Sequence, residues 1–278
     1  MTVAATLSLL ASPAFAVPFH AKPAPVSAGG SAPDPAPSLE ADVRAYLSSR
    51  PSTASVRVRD LITGHDYAYR STAHYDSASV VKVAILAAVL RRRELQHRHL
   101  TDREKRLLRK MIRRSDNAAA STLWESLGQG PAMARFYAAA GMRHTTPGHG
   151  PYWGLTQISA ADEVVLLRHL ARRTTLLTKA GRKYARGLMA TVKASQRWGI
   201  SVGPAAAGAR VELKNGWVSR ADRGWRIHSI GHIKGEGRNY LIAVLSMDNA
   251  TMADGIATVE GVSGIVWPAL APARPASV

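Results

Sequence analysis

The chain has 278 residues, of which 46% are hydrophobic, and its formal net charge is +18. This length and composition suit one enzyme-sized domain with tails. Because the chain contains no cysteine, the sequence excludes a disulfide framework, a thiolate zinc site and a cysteine nucleophile. The missing cysteine also argues against the lipid-anchored form of an exported protein, which carries a cysteine at its processed end.

The first residues form an apolar segment that ends in Ala14-Phe15-Ala16. Small residues at positions −3 and −1 are typical of a signal peptide, so the sequence predicts cleavage after Ala16 and a secreted or extracytoplasmic protein. The alternative is a short buried or disordered apolar tail. No later apolar stretch reaches about 18 residues, so no transmembrane segment is expected after processing.

The order of the predicted elements indicates the fold class. Pro, Ala and Ser dominate 17–38, which predicts a linker, and 271–278 predicts a disordered tail. The folded domain at 39–270 is predicted to contain helix Leu39–Ser49, strands Ser55–Leu61 and Tyr67–Tyr69, a helical region at 79–190, strands Ala209–Leu213, Trp225–Ile233 and Tyr240–Met247, and helix Met252–Val266. We therefore expect an α+β fold, with an antiparallel sheet from the N- and C-terminal segments, flanking terminal helices and an all-helical lobe at about 79–200.

Basic residues are concentrated in one part of the helical region. The segment 91–114 holds eleven Lys and Arg residues against Glu94, Asp102 and Glu104. One interpretation is a solvated helix face whose apolar partners include Leu108 and Met111. The other is attraction to an anionic cell-wall polymer. No nucleic-acid motif or aromatic interleaving accompanies the charge, so a nucleic-acid partner is not expected.

The first chemical motif is Ser79-Val80-Val81-Lys82. Lys82 is the one polar residue in the apolar run 80–90, which predicts a buried helix. A buried ammonium loses its proton readily, so Lys82 can act as a base for Ser79, which lies one helical turn away on the same face. The alternative is a lysine that extends to solvent from the first turn.

Two further motifs follow in order. Ser115-Asp116-Asn117 precedes a helical segment and is, taken alone, a good helix N-cap. Lys214-Asn215-Gly216 follows the strand candidate Val211–Leu213 and is, taken alone, an ordinary solvated turn. In this order the three motifs are much more specific than any of them singly, and the sequence resembles the class A β-lactamases and penicillin-binding proteins over about 39–270.

The resemblance implies a role for each motif residue. Ser79 would be acylated by the substrate carbonyl, Lys82 would take or relay its proton, and Ser115 would pass a proton to the leaving nitrogen. Lys214 would supply positive charge near Ser115 and the substrate carboxylate, and Asn117 would bind the substrate's amide side chain. The backbone N–H groups of Ser79 and Trp217 would form the oxyanion hole, with Gly216 permitting the close approach.

The sequence also departs from the family pattern. Asn215 stands where the family has Thr or Ser, and its amide can still donate to a carboxylate. The loop Gly141–Ile158 lacks the glutamate with which class A enzymes activate the deacylating water. His149, or else His144, is the candidate replacement base. Tyr152 and Trp153 are expected to pack this loop rather than contact substrate.

The family's carboxylate-binding arginine has two candidates, Arg226 first and Arg220 second. The leading functional hypothesis is a monomeric serine hydrolase that forms and then hydrolyses an acyl-enzyme with a β-lactam. Two alternatives are a D,D-peptidase-like or penicillin-binding protein that acts on peptidoglycan peptides with slow deacylation, and a non-catalytic wall-binding protein of the same fold. No cofactor and no metal are expected.

Overall fold

The computed structural model describes residues 36–221 and 223–272. The predicted signal peptide at 1–16, most of the predicted linker and the end of the predicted tail lie outside the described residues. The first helix begins at Ala36, so the helical chain starts within the segment predicted as linker. Within the described ranges, none of the helices combines the length and the hydropathy that a membrane span requires.

Helices and strands follow one another as the sequence pattern predicts. The helices are α1 Ala36–Ser48, α2 Lys82–Leu95, α3 Asp102–Arg113, α4 Asn117–Leu127, α5 Gln129–Ala140, α6 Ala160–Ala171, α7 Lys179–Ala190 and α8 Met252–Ala269. The strands are β1 Thr53–Asp60, β2 Asp66–Tyr69, β3 Tyr75–Asp76, β4 Gln157–Ile158, β5 Arg210–Arg220, β6 Gly224–Gly235 and β7 Arg238–Asn249. Local signals fix several ends: Thr101 and Glu104 form a capping box at α3, and Gly128 adopts a left-handed conformation after α4.

The main sheet is antiparallel and joins the two ends of the domain. Its five strands lie in the order β2-β1-β7-β6-β5, so N-terminal β1 pairs with C-terminal β7. β6 and β7 are joined through Glu236 and Gly237, both with positive φ, as a tight two-residue hairpin requires. This sheet, the helices that flank it and the helical lobe confirm the predicted α+β architecture.

Alternate residues of β6 face two different layers. Ile227 lies against Gly255 of α8, and α8 in turn packs on α1. The next residue, His228, points to the other side, where its Nε2 is 2.9 Å from the carbonyl oxygen of Asp76. The helical lobe therefore meets the sheet on the His228 side, and the seam between them holds the three motifs.

The prediction for β5 was too short. β5 pairs with β6 from Arg210 opposite Lys234 to Arg220 opposite Gly224, so the Lys214-Asn215-Gly216 motif lies inside an edge strand rather than after one. Its polar residues are typical of a turn, but here their side chains are buried between the sheet and its neighbours. The two-residue strands β3 and β4, which pair with each other, were also not predicted.

Candidate active site

Ser79 lies in a tight turn that leads into the buried helix α2. The turn Ala78–Val81 is a 3₁₀ helix that continues directly into α2 at Lys82. Ala78, immediately before the serine, has φ +45°, a conformation that costs a non-glycine residue free energy and is found mainly at functional sites. The backbone thus holds Ser79 in a fixed orientation at the end of the apolar helix.

Lys82 connects the first two motifs. Its Nζ donates to Ser79 Oγ at 2.9 Å, to Asn117 Oδ1 at 2.8 Å and to the carbonyl oxygen of Ser115 at 2.7 Å. The side chain is fully buried, which excludes the solvent-extended alternative. Burial lowers the pKa of the Lys82 ammonium to about 7, although the nearby Asp116 carboxylate opposes the shift.

The hydroxyl group of Ser115 lies within hydrogen-bond distance of two lysines. Its Oγ lies 3.2 Å from Lys82 Nζ and 3.0 Å from Lys214 Nζ. Burial, together with the charge of Lys82, holds the pKa of Lys214 well below its usual range. Ser115 also has φ +55°, just before α4, where the Asp116 side chain caps the helix by accepting from Ala119 N–H at 2.8 Å. Because Ser115 Oγ accepts from the Nζ atoms of both lysines, its own hydroxyl proton is available to a substrate.

Gly216 brings β5 against the turn that carries Ser79. A Cβ at position 216 would lie 2.9 Å from Ser79 N and 3.0 Å from Val80 N, closer than real Cβ atoms approach such atoms. Only glycine fits here without movement of one of the two segments. The main chain at 216–217 therefore runs beside the N–H of Ser79.

A cavity of about 320 Å³ opens at Ser79. It is bounded by the turn, α4, β5 and the loop before β4, and its lining residues are Ala78, Ser79, Asn117, Pro151, Tyr152, Trp153, Gly154, Leu155, Trp217, Val218 and Arg220. The described lining contains one cation, Arg220, and no carboxylate. Its aromatic walls and few polar groups are typical of a small-molecule site.

Comparison with known proteins identifies the family. A model described as the β-lactamase enzyme family matches residues 38–106 and 103–270. The chain belongs to this family. The protein LppW of Mycobacterium tuberculosis, named as a candidate lipoprotein, is 26% identical over 229 residues, which cover 78% of this chain and 70% of LppW. The LppW of Mycobacterium bovis matches equally.

Solved structures of class A β-lactamases share the fold. TLA-1 extended-spectrum β-lactamase superimposes with a TM-score of 0.75 at 18% identity, covering 86% of this chain and 100% of TLA-1. A class A β-lactamase from Bacteroides cellulosilyticus gives 0.73 at 18% identity, covering 85% and 98%. A PBP-A variant in an acyl-enzyme complex with penicillin G gives 0.74 at 17% identity, covering 84% and 96%.

The loop Gly141–Ile158 covers the cavity with aromatic side chains. The Trp153 ring centroid is 4.8 Å from Lys82 Nζ, and Trp153 Nε1 donates to Ser121 Oγ at 3.0 Å. Tyr152 also lines the cavity, with 64% of its surface exposed. Both residues therefore line the cavity, a position that the sequence analysis did not predict for them. The signal in the sequence was a pair of adjacent aromatic residues in a loop rich in Gly and Pro. Because a loop has no periodicity, the sequence does not show which way these side chains point.

The predicted replacement bases lie outside the cavity. His149 is exposed, and the backbone N–H of His144 donates to Asp162 Oδ2 at 2.7 Å. Neither residue lines the cavity. Glu163 of α6 is fully buried, and burial together with the Asp162 charge raises its pKa to about 8. It does not line the cavity either, so the structure gives Ser79 no acidic or imidazole neighbour among the described lining residues.

Asn215 cannot bind substrate through its amide as the sequence suggested. Its Nδ2 donates to the carbonyl oxygens of Gln196 at 3.0 Å and Trp198 at 3.1 Å, and its Oδ1 accepts from Ser229 Oγ at 2.6 Å. Both amide protons are used, and the side chain is buried. The prediction for Asn215 failed because side chains alternate along a strand, and Asn215 points to the face opposite that of Lys214.

Arg220, rather than Arg226, is the arginine at the cavity. Arg226 is buried, and its Nη1 donates to the carbonyl oxygen of Arg223 at 2.6 Å, within the β5–β6 connection. Arg220 lines the cavity and pairs with Asp76, Nη2 to Oδ2, at 3.0 Å. The unexpected length of β5 is what carries Arg220 to this position.

Proposed function

We propose that this family member is a serine acyl-enzyme former that reacts through Ser79 with a β-lactam or a related peptide amide and releases the acyl group slowly. The observation that carries the proposal is the 2.9 Å hydrogen bond between Ser79 Oγ and the buried Lys82 Nζ. A neutral Lys82 is the base that a serine nucleophile requires.

The acylation step follows from these contacts. Ser79 Oγ attacks the amide carbonyl carbon while its proton moves to Lys82 Nζ, and the carbonyl oxygen becomes an oxyanion held by the N–H groups of Ser79 and Trp217. The C–N bond then breaks, and the nitrogen takes the proton of Ser115 Oγ. Lys82, 3.2 Å from that oxygen, returns a proton to it. The product is an ester on Ser79, and the new amine leaves when the substrate is a peptide amide but stays attached to the acyl group when it is a β-lactam.

Two polar groups at the cavity wall would orient the substrate. Asn117 accepts from Lys82 through Oδ1, which leaves its Nδ2 to donate to an amide side chain of the substrate. Arg220 supplies the cavity's cation for a substrate carboxylate, and Asp76 fixes its position. Lys214 adds positive charge behind Ser115.

Slow release distinguishes this proposal from efficient β-lactam hydrolysis. Hydrolysis of the ester needs a base that activates water, and the cavity lining provides no carboxylate or imidazole. This supports the D,D-peptidase-like or penicillin-binding alternative over rapid turnover. The predicted signal peptide and the naming of LppW as a candidate lipoprotein support a location outside the cytoplasm.

We expect penicillin G to leave one covalent adduct per chain that persists after the free drug is removed. Intact-mass spectrometry over time measures both the extent of labelling and its lifetime. Ser79→Ala should show no adduct, whereas Ser49→Ala, at an exposed serine remote from the cavity, should label like the unmodified protein. Rapid steady-state turnover would contradict slow release, and absence of any adduct would favour a non-catalytic binding protein.

Acylation should become faster as pH rises. Because the lowered pKa of Lys82 is about 7, the amine is protonated at pH 6 and mostly neutral at pH 8, and only the neutral form accepts the serine proton. The second-order rate of penicillin labelling, measured from pH 5.5 to 9, should rise with a midpoint near 7. A rate that is flat across this range, or that falls with pH, would contradict Lys82 as the base.

A further inference from the structure

A second concave site lies beside the active site and is lined only by cations. This basic cleft, of about 270 Å³, is formed by Arg106, Arg109, Lys110, Arg113, Arg114 and Lys193. The first five belong to α3 and its C-terminal end, and Lys193 follows α7 across the cleft. All six residues are exposed. Five of the eleven basic residues of the segment 91–114 line this cleft.

A solvated helix face does not fully explain this arrangement. α3 buries Leu108, Met111 and Ile112, so its polar side is exposed as an amphipathic helix requires. Elsewhere on α2 and α3 three of the charges are compensated: Arg92 and Arg93 pair with Glu104, and Lys105 pairs with Asp102. In the described ranges none of the six cleft cations has a carboxylate partner. They converge across a concavity although each repels the others.

We propose that the basic cleft binds a linear polymer that carries phosphate groups. Arginine forks bind phosphate oxygens in a bidentate geometry, and lysines add point charges. From Arg106 to Arg113 the helix rises by about 10 Å, so the cations form a row rather than a single pocket for one ion. A row of this length matches several successive anions on one chain.

Two features select this partner over other polyanions. The lining contains no aromatic side chain on which a nucleobase could stack. It also contains no apolar residue that could enter a lipid bilayer, and the cations face each other across a cleft instead of lying on a flat surface. An anionic phosphate polymer of the cell wall has the required charge without bases or acyl chains.

The cleft is connected to the catalytic residues through the main chain. Arg114 directly precedes Ser115, and its carbonyl oxygen accepts from Gln196 Nε2 at 3.0 Å. The carbonyl oxygen of Gln196 in turn accepts from Asn215 at 3.0 Å. A polymer in the basic cleft therefore holds the Ser79 cavity next to the wall that carries the polymer, which would raise the local concentration of wall-linked peptides.

The test is calorimetric titration of the full chain with inorganic tripolyphosphate at about 50 mM and about 200 mM NaCl. The triple variant Arg106→Gln, Arg109→Gln, Lys110→Gln removes three cleft cations that make no side-chain hydrogen bond in the described structure. The control, Arg135→Gln, Arg143→Gln, Lys234→Gln, removes the same charge from exposed positions outside the cleft. Thermal melts confirm that both variants fold.

We expect the cleft variant to bind at least about tenfold more weakly and with a smaller salt dependence, and the control to stay within about twofold of the unmodified protein. An equal loss in both variants would show that net charge alone causes binding and would overturn the proposal, as would the absence of binding at low salt. Tighter binding of a single-stranded oligonucleotide of equal charge would also overturn it, in favour of nucleic acid. Because no step involves Ser79, failure here leaves the proposed acylation intact.

Discussion

Replacement of Lys82 by methionine is expected to slow acylation of Ser79 by about 10²- to 10⁴-fold, the usual contribution of a general base. Methionine keeps most of the volume that the buried lysine fills, so loss of packing is small. It removes the amine that lies 2.9 Å from Ser79 Oγ and 3.2 Å from Ser115 Oγ. The second-order rate of penicillin G labelling, followed by intact mass, measures the effect.

A matched substitution at an exposed lysine controls for the loss of one lysine charge. Lys183→Met makes the same substitution at an exposed lysine outside both the cavity and the basic cleft, and it should leave the labelling rate within about twofold. The pH dependence provides a second readout, since the midpoint near 7 should disappear in Lys82→Met and remain in the control. Unchanged labelling by Lys82→Met would show that another group activates Ser79.

Replacement of Trp153 by glutamate is expected to accelerate loss of the acyl group by about 10²-fold. Trp153 occupies the cavity wall with its ring 4.8 Å from Lys82 Nζ, so a carboxylate at this position would lie near the ester and could activate water. The position is only half-buried and lies beside the Lys82 amine, which makes a carboxylate there tolerable. The readout is the decay of the preformed adduct after free penicillin G is removed.

Trp153→Gln is the control for this prediction. It has the size and shape of glutamate and loses the same tryptophan contacts, including the bond to Ser121 Oγ, but it cannot accept a proton at neutral pH. Its adduct should persist as in the unmodified protein. If glutamine accelerates decay as much as glutamate does, the tryptophan limits release by excluding water, and the missing base is not the cause.

The sequence by itself determined the fold class and the residues around Ser79. An apolar run interrupted only by Lys82 predicts a buried helix with one unusual lysine, and the structure has this lysine fully buried. The order of the longer strands and helices along the chain followed in the same way, because alternating and helical periodicities are set by local chain geometry. The absence of a carboxylate in the loop Gly141–Ile158 also follows from the sequence alone, because it depends only on which residues the loop contains.

Only the tertiary structure decided which side chains face the cavity. Asn215 and Lys214 are neighbours in sequence, but the pleat of β5 sends one to Ser229 and the other to Ser115. Arg220 reaches the cavity because β5 continues past the motif, and this length depends on pairing with β6. Loop residues have no periodicity, so the position of Trp153 over Lys82 depends on long-range contacts that the local sequence does not encode. The same reason applies to the basic cleft, where Lys193 joins the cations of α3 only when the chain folds.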